Sequence, residues 1–244
     1  VDPEYGARYR RLYRHHWWWR AREERVVAEL ERLARGRPGG FGAILDVGCG
    51  DALLFPRLRR FGEPRGVEVD GALVSAETRA SGAVYLGPFD DSYQPGRRFG
   101  LIVMLDVVEH LDDDVAALRR AADLLDPGGV LVVTVPASPA LWTAHDETNH
   151  HRRRYTPHAL TAAARAAGLH VRDRRHLFHW LAPIKLLVRA REALLPAEPR
   201  MPEVPPPFWN RLFYTVCRLE QATWGRLPWP FGSSLLMVGD RRRG

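Results

Sequence analysis

Two groups of residues in this chain combine the types and spacing that chemistry needs. The first is Asp46-x-Gly48-x-Gly50, where the apolar run Ile44-Leu45 ends in a carboxylate and two glycines permit a tight turn. Backbone N–H groups at such a turn can cradle phosphate. Asp46 before the turn and Asp51 after it would repel one, so the charges favour a ligand with an ammonium or sulfonium group and ribose hydroxyls. Glu68 follows Gly50 by 18 residues, the interval at which an acid reaches ribose hydroxyls, and Asp106 closes a further apolar run.

The second group is the stretch 145–156, His-Asp-Glu-Thr-Asn-His-His-Arg-Arg-Arg-Tyr-Thr. A histidine that titrates near neutrality can take the proton of a hydroxyl as that oxygen attacks an electrophile. His145 is the first candidate for this role with Asp146 orienting it; His151 and Tyr155 are further candidates. Three other readings stay open. The histidines can simply tie the loop down, with Arg153 and Arg154 paired to acids such as Glu109. His, Asp and His donors suit several divalent ions, although no metal is assigned. Group transfer can also run without a protein base, by alignment alone.

Alternating elements must position these residues. Residues 1–35 read as helical: Tyr5, Tyr9, Tyr13 and Trp17 recur every four positions. Trp17-Trp18-Trp19 cannot all face one side, so one must meet a partner, a ligand or another part of the chain. The helix either clamps the core through its aromatics or forms a lid. After a Gly/Pro linker at 36–42, strands are expected at 44–47, 65–69, 83–86, 101–105 and 130–135. Helices are expected at 52–60 (with Asp51 as N-cap), 74–81 and 112–125, which places the acids at the carboxyl ends of a parallel sheet. A long loop is expected over 136–155, then a helix capped by Thr156 with Pro157 in its first turn and ending at Gly168, then strands at 169–180 and 233–239.

These residues resemble the motifs of class I S-adenosylmethionine (SAM) dependent methyltransferases over 43–136 and, more loosely, to 180. Asp46, Gly48 and Gly50 fill the acid-x-Gly-x-Gly-x-Gly motif, with Ala52 in place of the third glycine. Leu105-Asp106-Val107-Val108-Glu109-His110-Leu111 and Leu125-Asp126-Pro127-Gly128-Gly129 match two later motifs. The 145–156 loop and the Trp-rich start resemble bacterial small-molecule methyltransferases, including those of ubiquinone-type pathways.

The resemblance implies an α/β Rossmann-like sheet, mostly parallel with an antiparallel last strand and helices on both faces. It adds an N-terminal aromatic helix and a helical insertion before the last strand. It also implies that Gly48 and Gly50 pass the methionine part of SAM, with Asp46 near its amino end. Glu68, followed by Val69 and Asp70, would take the ribose. Phe89 or Asp90 would lie near the adenine, and Leu105 and Asp106 would close the cofactor site. The implied reaction is methylation of a small molecule, on oxygen first with carbon and nitrogen open, in secondary or lipid/quinone-type metabolism, releasing S-adenosylhomocysteine.

Four segments follow: a helical cap (1–40), the SAM-binding core (41–180), a helical and proline-rich insertion (181–232), and the last strand with its basic tail (233–244). The insertion is dense in aromatics, from Trp180 to Phe231, which pack a subdomain, form a homodimer contact or line a pocket for an apolar or aromatic acceptor. Its stretch 184–195 mixes apolar residues with Lys185, Arg189 and Arg191, a pattern that tolerates a membrane surface.

The net charge of +7 is carried almost wholly by arginine and would suit nucleic acid or acidic partners. Asp106-Val107-Val108-Glu109 differs from the Asn/Asp-Pro-Pro-aromatic motif of base-amine methyltransferases, which argues against nucleic acid. A SAM-binding cyclase or regulatory protein stays an alternative, because cofactor motifs do not report turnover, and a nucleic-acid methyltransferase is the other. Two cysteines make no disulfide framework, and no leader or membrane-length apolar run is evident, so a cytoplasmic location is expected.

Overall fold

A computed structural model describes residues 3–195 and 202–241; part of the proline-rich stretch and the end of the basic tail lie outside them. Seven strands form one sheet: β1 (Gly42–Val47), β2 (Gly62–Glu68), β3 (Val84–Leu86), β4 (Phe99–Leu105), β5 (Leu125–Pro136), β6 (Leu169–Leu177) and β7 (Ser234–Arg241). Their order is β3-β2-β1-β4-β5-β7-β6. β1, β2 and β3 pair in parallel, whereas β7 runs antiparallel to β6. Helices surround the sheet, as expected of the class I methyltransferase arrangement.

The chain divides into two compact units. The first contains residues 1–103, 123–130 and 203–218. Its β1 is buried from Ala43 to Val47, as a strand covered on both faces must be. The parallel register sets Val47 opposite Val67, so the turn after β1 and the end of β2 emerge at the same edge.

The expected single N-terminal helix is two: α1 (Pro3–His15) and α2 (Trp17–Ala34). His16 separates them, because its side chain accepts from the Trp18 N–H at 3.1 Å and so caps α2. Trp17 turns towards the start of α9 (Pro207–Ala222): its N–H donates to Asn210 Oδ1 at 2.8 Å and its ring meets Phe213 edge-on. Part of the aromatic insertion therefore packs on the N-terminal helices.

The expected helix at 52–60 shrinks to α3 (Phe55–Leu58), and Asp51 does not cap it. Asp51 Oδ1 instead accepts from the N–H and hydroxyl of Ser75, at 2.8 and 2.7 Å. Ser75 is itself the N-cap of α4 (Ala76–Ala80). Ala52, in the third-glycine position, adopts φ +55°, where a Cβ is strained. Ala52→Gly should stabilise the protein by about 0.5–1 kcal/mol, strain relief exceeding the added unfolded-state entropy. Thermal melts of the two proteins check this; an unchanged or lower midpoint contradicts it.

The second unit contains residues 104–122, 131–202 and 219–244. α5 (Asp114–Leu124) begins two residues later than expected. The expected loop 136–155 contains a short helix, α6 (Ala144–Thr148), whose first turn holds His145 and Asp146. Thr156 caps α7 (Pro157–Ala166), accepting from the Ala159 N–H. α8 (Leu181–Leu194) follows β6.

Candidate active site

In the first unit the glycine turn, the end of β2 and α1 come together. Glu68 is buried and each of its oxygens accepts a backbone N–H: Gly50 at 2.8 Å and Asp70 at 2.9 Å. The acid expected to hold a ribose thus also braces the turn. Asp70 Oδ1 accepts from the Ala72 N–H, and Val69 is exposed.

Gly50 has φ +54°, and a Cβ there would lie 2.9 Å from the Tyr9 ring of α1. Arg10, beside Tyr9, reaches Asp51 at 3.4 Å. α1 therefore lies against the turn.

Burial pushes the Asp46 carboxyl up to about 7; Arg22 opposes the rise and Glu68 adds to it. A cation placed beside Asp46 would draw it into the ionised form. Binding of S-adenosylhomocysteine, which carries an ammonium, should therefore release protons near neutral pH and weaken as pH falls from 8 to 6. Calorimetry in buffers of different ionisation enthalpy measures this, and binding without proton release at pH 7 counts against it.

The Gly87 N–H donates to the Glu68 carbonyl at 2.9 Å, so the segment leading to Phe89 and Asp90 starts at the end of β2. Asp90 is exposed, and its Oδ1 accepts from the Ser92 N–H and hydroxyl. Phe89 packs towards Tyr93.

In the second unit Asp106 has φ +55° at the end of β4. Its N–H donates to the Thr134 carbonyl and its carboxylate accepts from the Thr134 hydroxyl at 3.2 Å. Asp106 and Leu105 are both half-buried.

Asp146 organises the 145–156 segment, but it does not orient His145. Its Oδ1 accepts from His151 Nδ1 and from Arg154 Nε, both at 2.8 Å, while Oδ2 accepts from the Thr143 N–H at 2.9 Å. It is fully buried. Burial alone would raise its carboxyl; the His151 hydrogen bond and the Arg154 guanidinium overcome this and hold it well below the usual carboxylate range. In α6 the adjacent side chains of His145 and Asp146 diverge by about 100° around the helix axis. The chain then returns through His150, at φ +56°, to bring His151 back.

His145 is exposed, with Asn149 Nδ2 3.3 Å from its ring; partial desolvation, with Lys185 second, lowers its pKa, so the ring is neutral at pH 7. Arg153 and Arg154 do not pair with Glu109. Arg153 meets Asp114 at 3.2 Å, and Arg154, besides Asp146, donates to the Ala137 carbonyl. Tyr155 is buried and its hydroxyl donates to Asp114 at 2.6 Å; burial and that carboxylate push its phenol far up, which fits an anchor better than a proton carrier.

His151 also meets the His110 ring edge-on at 4.8 Å. Ligand atoms of Glu109, His110 and His151 lie within 4.8 Å of one another. Sequence reasoning missed Tyr9, Arg22 and Lys185 as site residues. Lys185 carried a signal in being the only lysine, whereas Tyr9 and Arg22 read as ordinary helix positions.

Comparison with known proteins identifies the family. Residues 18–173 match a family described as a methyltransferase domain. The chain is 36% identical over 98 residues to a ubiquinone biosynthesis O-methyltransferase of Azorhizobium caulinodans, covering 37% of this chain and 39% of that protein. It is 30% identical over 175 residues to the Cereibacter sphaeroides protein of the same name, covering 62% and 70%. The chain thus spans well under half of the first relative's length. A Haloferax volcanii methyltransferase solved in complex with the Trm112 methyltransferase activator superposes with a TM-score of 0.60 at 20% identity, covering 99% of this chain and 96% of that one. With the sheet order, the glycine turn and Glu68 already placed, the match over most of its length means that the chain belongs to the class I SAM-dependent methyltransferase family, which implies SAM as its cosubstrate.

Proposed function

We propose that this chain methylates an oxygen of a small, apolar or aromatic acceptor, with His151 as proton acceptor and Asp146 holding it in place. The observation that carries the reading is the buried Asp146 between His151 Nδ1 and Arg154 Nε. An ionised carboxylate only accepts, so it keeps a proton on Nδ1 and leaves the Nε2 lone pair to take the acceptor's hydroxyl proton. Arg154 keeps Asp146 ionised through that step.

The residues of the first unit fit SAM. Two buried carboxylates, Asp46 and Glu68, stand at the turn, and the burial that raises Asp46 makes a cationic ligand favourable there. Asp46 would hold the amino end, Glu68 the ribose, and the backbone at Gly48 and Gly50 the methionine chain. When bound, SAM supplies an electrophilic methyl group on a sulfonium. The relatives' names, ubiquinone biosynthesis O-methyltransferase, support oxygen as the acceptor atom and an acceptor of the quinone-pathway type. Transfer of labelled methyl from SAM across a panel of phenols, carboxylic acids and amines tests the reading; transfer only to amines, or none, counts against it.

A second reading rests on Glu109, His110 and His151, which have the donor types of a divalent metal site. His151 cannot both ligate a metal through Nε2 and take a proton there. Activity abolished by a chelator and restored by one divalent ion would favour this reading over the base.

A further inference from the structure

Helix α8 is built inside out. Lys185, Arg189 and Glu192 share one face at spacings of four and three residues, and that face turns towards the segment 137–148. Glu192 Oε2 accepts from the Ala144 N–H at 3.1 Å, and Arg189 donates to the Pro139 carbonyl at 3.0 Å. Lys185 is withdrawn enough from water that burial lowers its ammonium to about 8. The opposite face is apolar and exposed, with Leu187 at 71% and Leu194 at 81% of full exposure and Leu186 and Ile184 also open. A helix serving only to cover a sheet has the reverse arrangement.

A second exposed apolar segment adjoins it. Trp224, Leu227, Trp229 and Phe231 are all exposed. Glu220 accepts from the His179 and Trp180 N–H groups just before α8, and the His179 ring meets Phe231 edge-on at 6.0 Å. The aromatic segment therefore sits at the N-terminal end of α8. Residues 223–232 contain no acid, and the only acid of α8, Glu192, faces inward; Arg191 is exposed beside the leucines.

We propose that the outer face of α8 and the 224–231 segment lie on an anionic lipid bilayer. Exposed leucines, tryptophans at one end and positive charge without outward acids are the features of a helix lying in the membrane interface. At 14 residues the helix is about 21 Å long, too short to span a bilayer but suited to lying in its plane. No described helix is long and apolar enough to cross a membrane. A second copy docked face to face would bury the Arg191 of both copies with no outward acid of α8 or of 223–232 to pair them, which charge disfavours. The consequence for catalysis rests on the methylation reading: because α8 holds Ala144 and Pro139, the His151 loop would stand beside the lipid surface, where an apolar acceptor is concentrated.

The test is co-sedimentation of the full chain with vesicles of phosphatidylcholine alone and of phosphatidylcholine with 30% phosphatidylglycerol, at physiological salt. Wild type should bind the anionic vesicles, and the double variant Leu187→Glu/Leu194→Glu should bind at least about tenfold more weakly. Circular dichroism and S-adenosylhomocysteine binding on the same samples show that the variant is folded. No binding by wild type, or equal binding by the folded variant, overturns the proposal. So does light scattering that shows a dimer which the variant breaks, because the face is then a subunit contact. None of these readouts requires turnover, so failure here is distinguishable from failure of the methyl-transfer reading.

Discussion

His151→Ala lowers kcat by about 10²- to 10⁴-fold while leaving the dissociation constant for S-adenosylhomocysteine within about twofold of wild type. The range is what a positioned base contributes, and binding is spared because the residues expected to hold the cofactor lie elsewhere in the chain. Single-turnover kinetics and calorimetry measure the two quantities. Added imidazole should restore part of the rate, which a merely structural histidine would not allow. His145→Ala should cost far less, because Asp146 does not hold that exposed ring and its lowered pKa makes it a weak proton acceptor. Asp146→Asn is a poorer probe. It leaves Arg154 buried without its counter-ion, a change that costs about 3–5 kcal/mol and would mix misfolding with catalysis. Full turnover in His151→Ala would falsify the base assignment.

Glu68→Ala weakens S-adenosylhomocysteine binding by about 10- to 100-fold, equivalent to roughly 1.4–2.8 kcal/mol. Two effects combine. The carboxylate expected to meet the ribose is lost, and the Gly50 and Asp70 N–H groups lose their acceptor. The melting temperature of the ligand-free protein should therefore fall as well. Glu68→Gln separates the two effects: its amide oxygen can still accept one N–H, so it should keep more of the stability than of the affinity. Calorimetric binding by Glu68→Ala at wild-type strength would show that this acid serves only to brace the turn.

The parts of the molecule legible in the sequence are those that local rules govern. A continuous apolar run ending in an acid marks β1 and β4 because strands buried on both faces need no alternation. Gly50 announces a left-handed turn, and Thr156-Pro157 announces α7, because both depend on a few neighbouring dihedral angles. Asp51 shows where such rules fail. A carboxylate before an apolar segment has the local form of a helix cap, but Ser75, 24 residues away, offers its N–H and hydroxyl, and the expected helix shortens to Phe55–Leu58. His16 fails in the other direction. Unbroken periodicity across residues 1–35 conceals a side chain that caps a second helix.

The 145–156 loop divides the same way. Its residue types allowed proton transfer, metal binding or a purely structural role, whereas the pairing within it depended on a short helix and a left-handed residue that turn His151, rather than His145, onto Asp146. For α8, periodicity defines two faces without saying which meets the protein; only the contacts with 137–148 set the charged face against that segment and left the leucines exposed.

By itself, the sequence determined the sheet, the glycine turn and the acids at the strand ends, because backbone sterics and apolar periodicity act over a few residues. Tertiary structure alone decided which histidine meets the buried carboxylate, what Asp51 binds and which face of α8 is exposed. Each of those outcomes turns on partners distant in sequence or on the direction a helix presents its side chains, and spacing along the chain records neither.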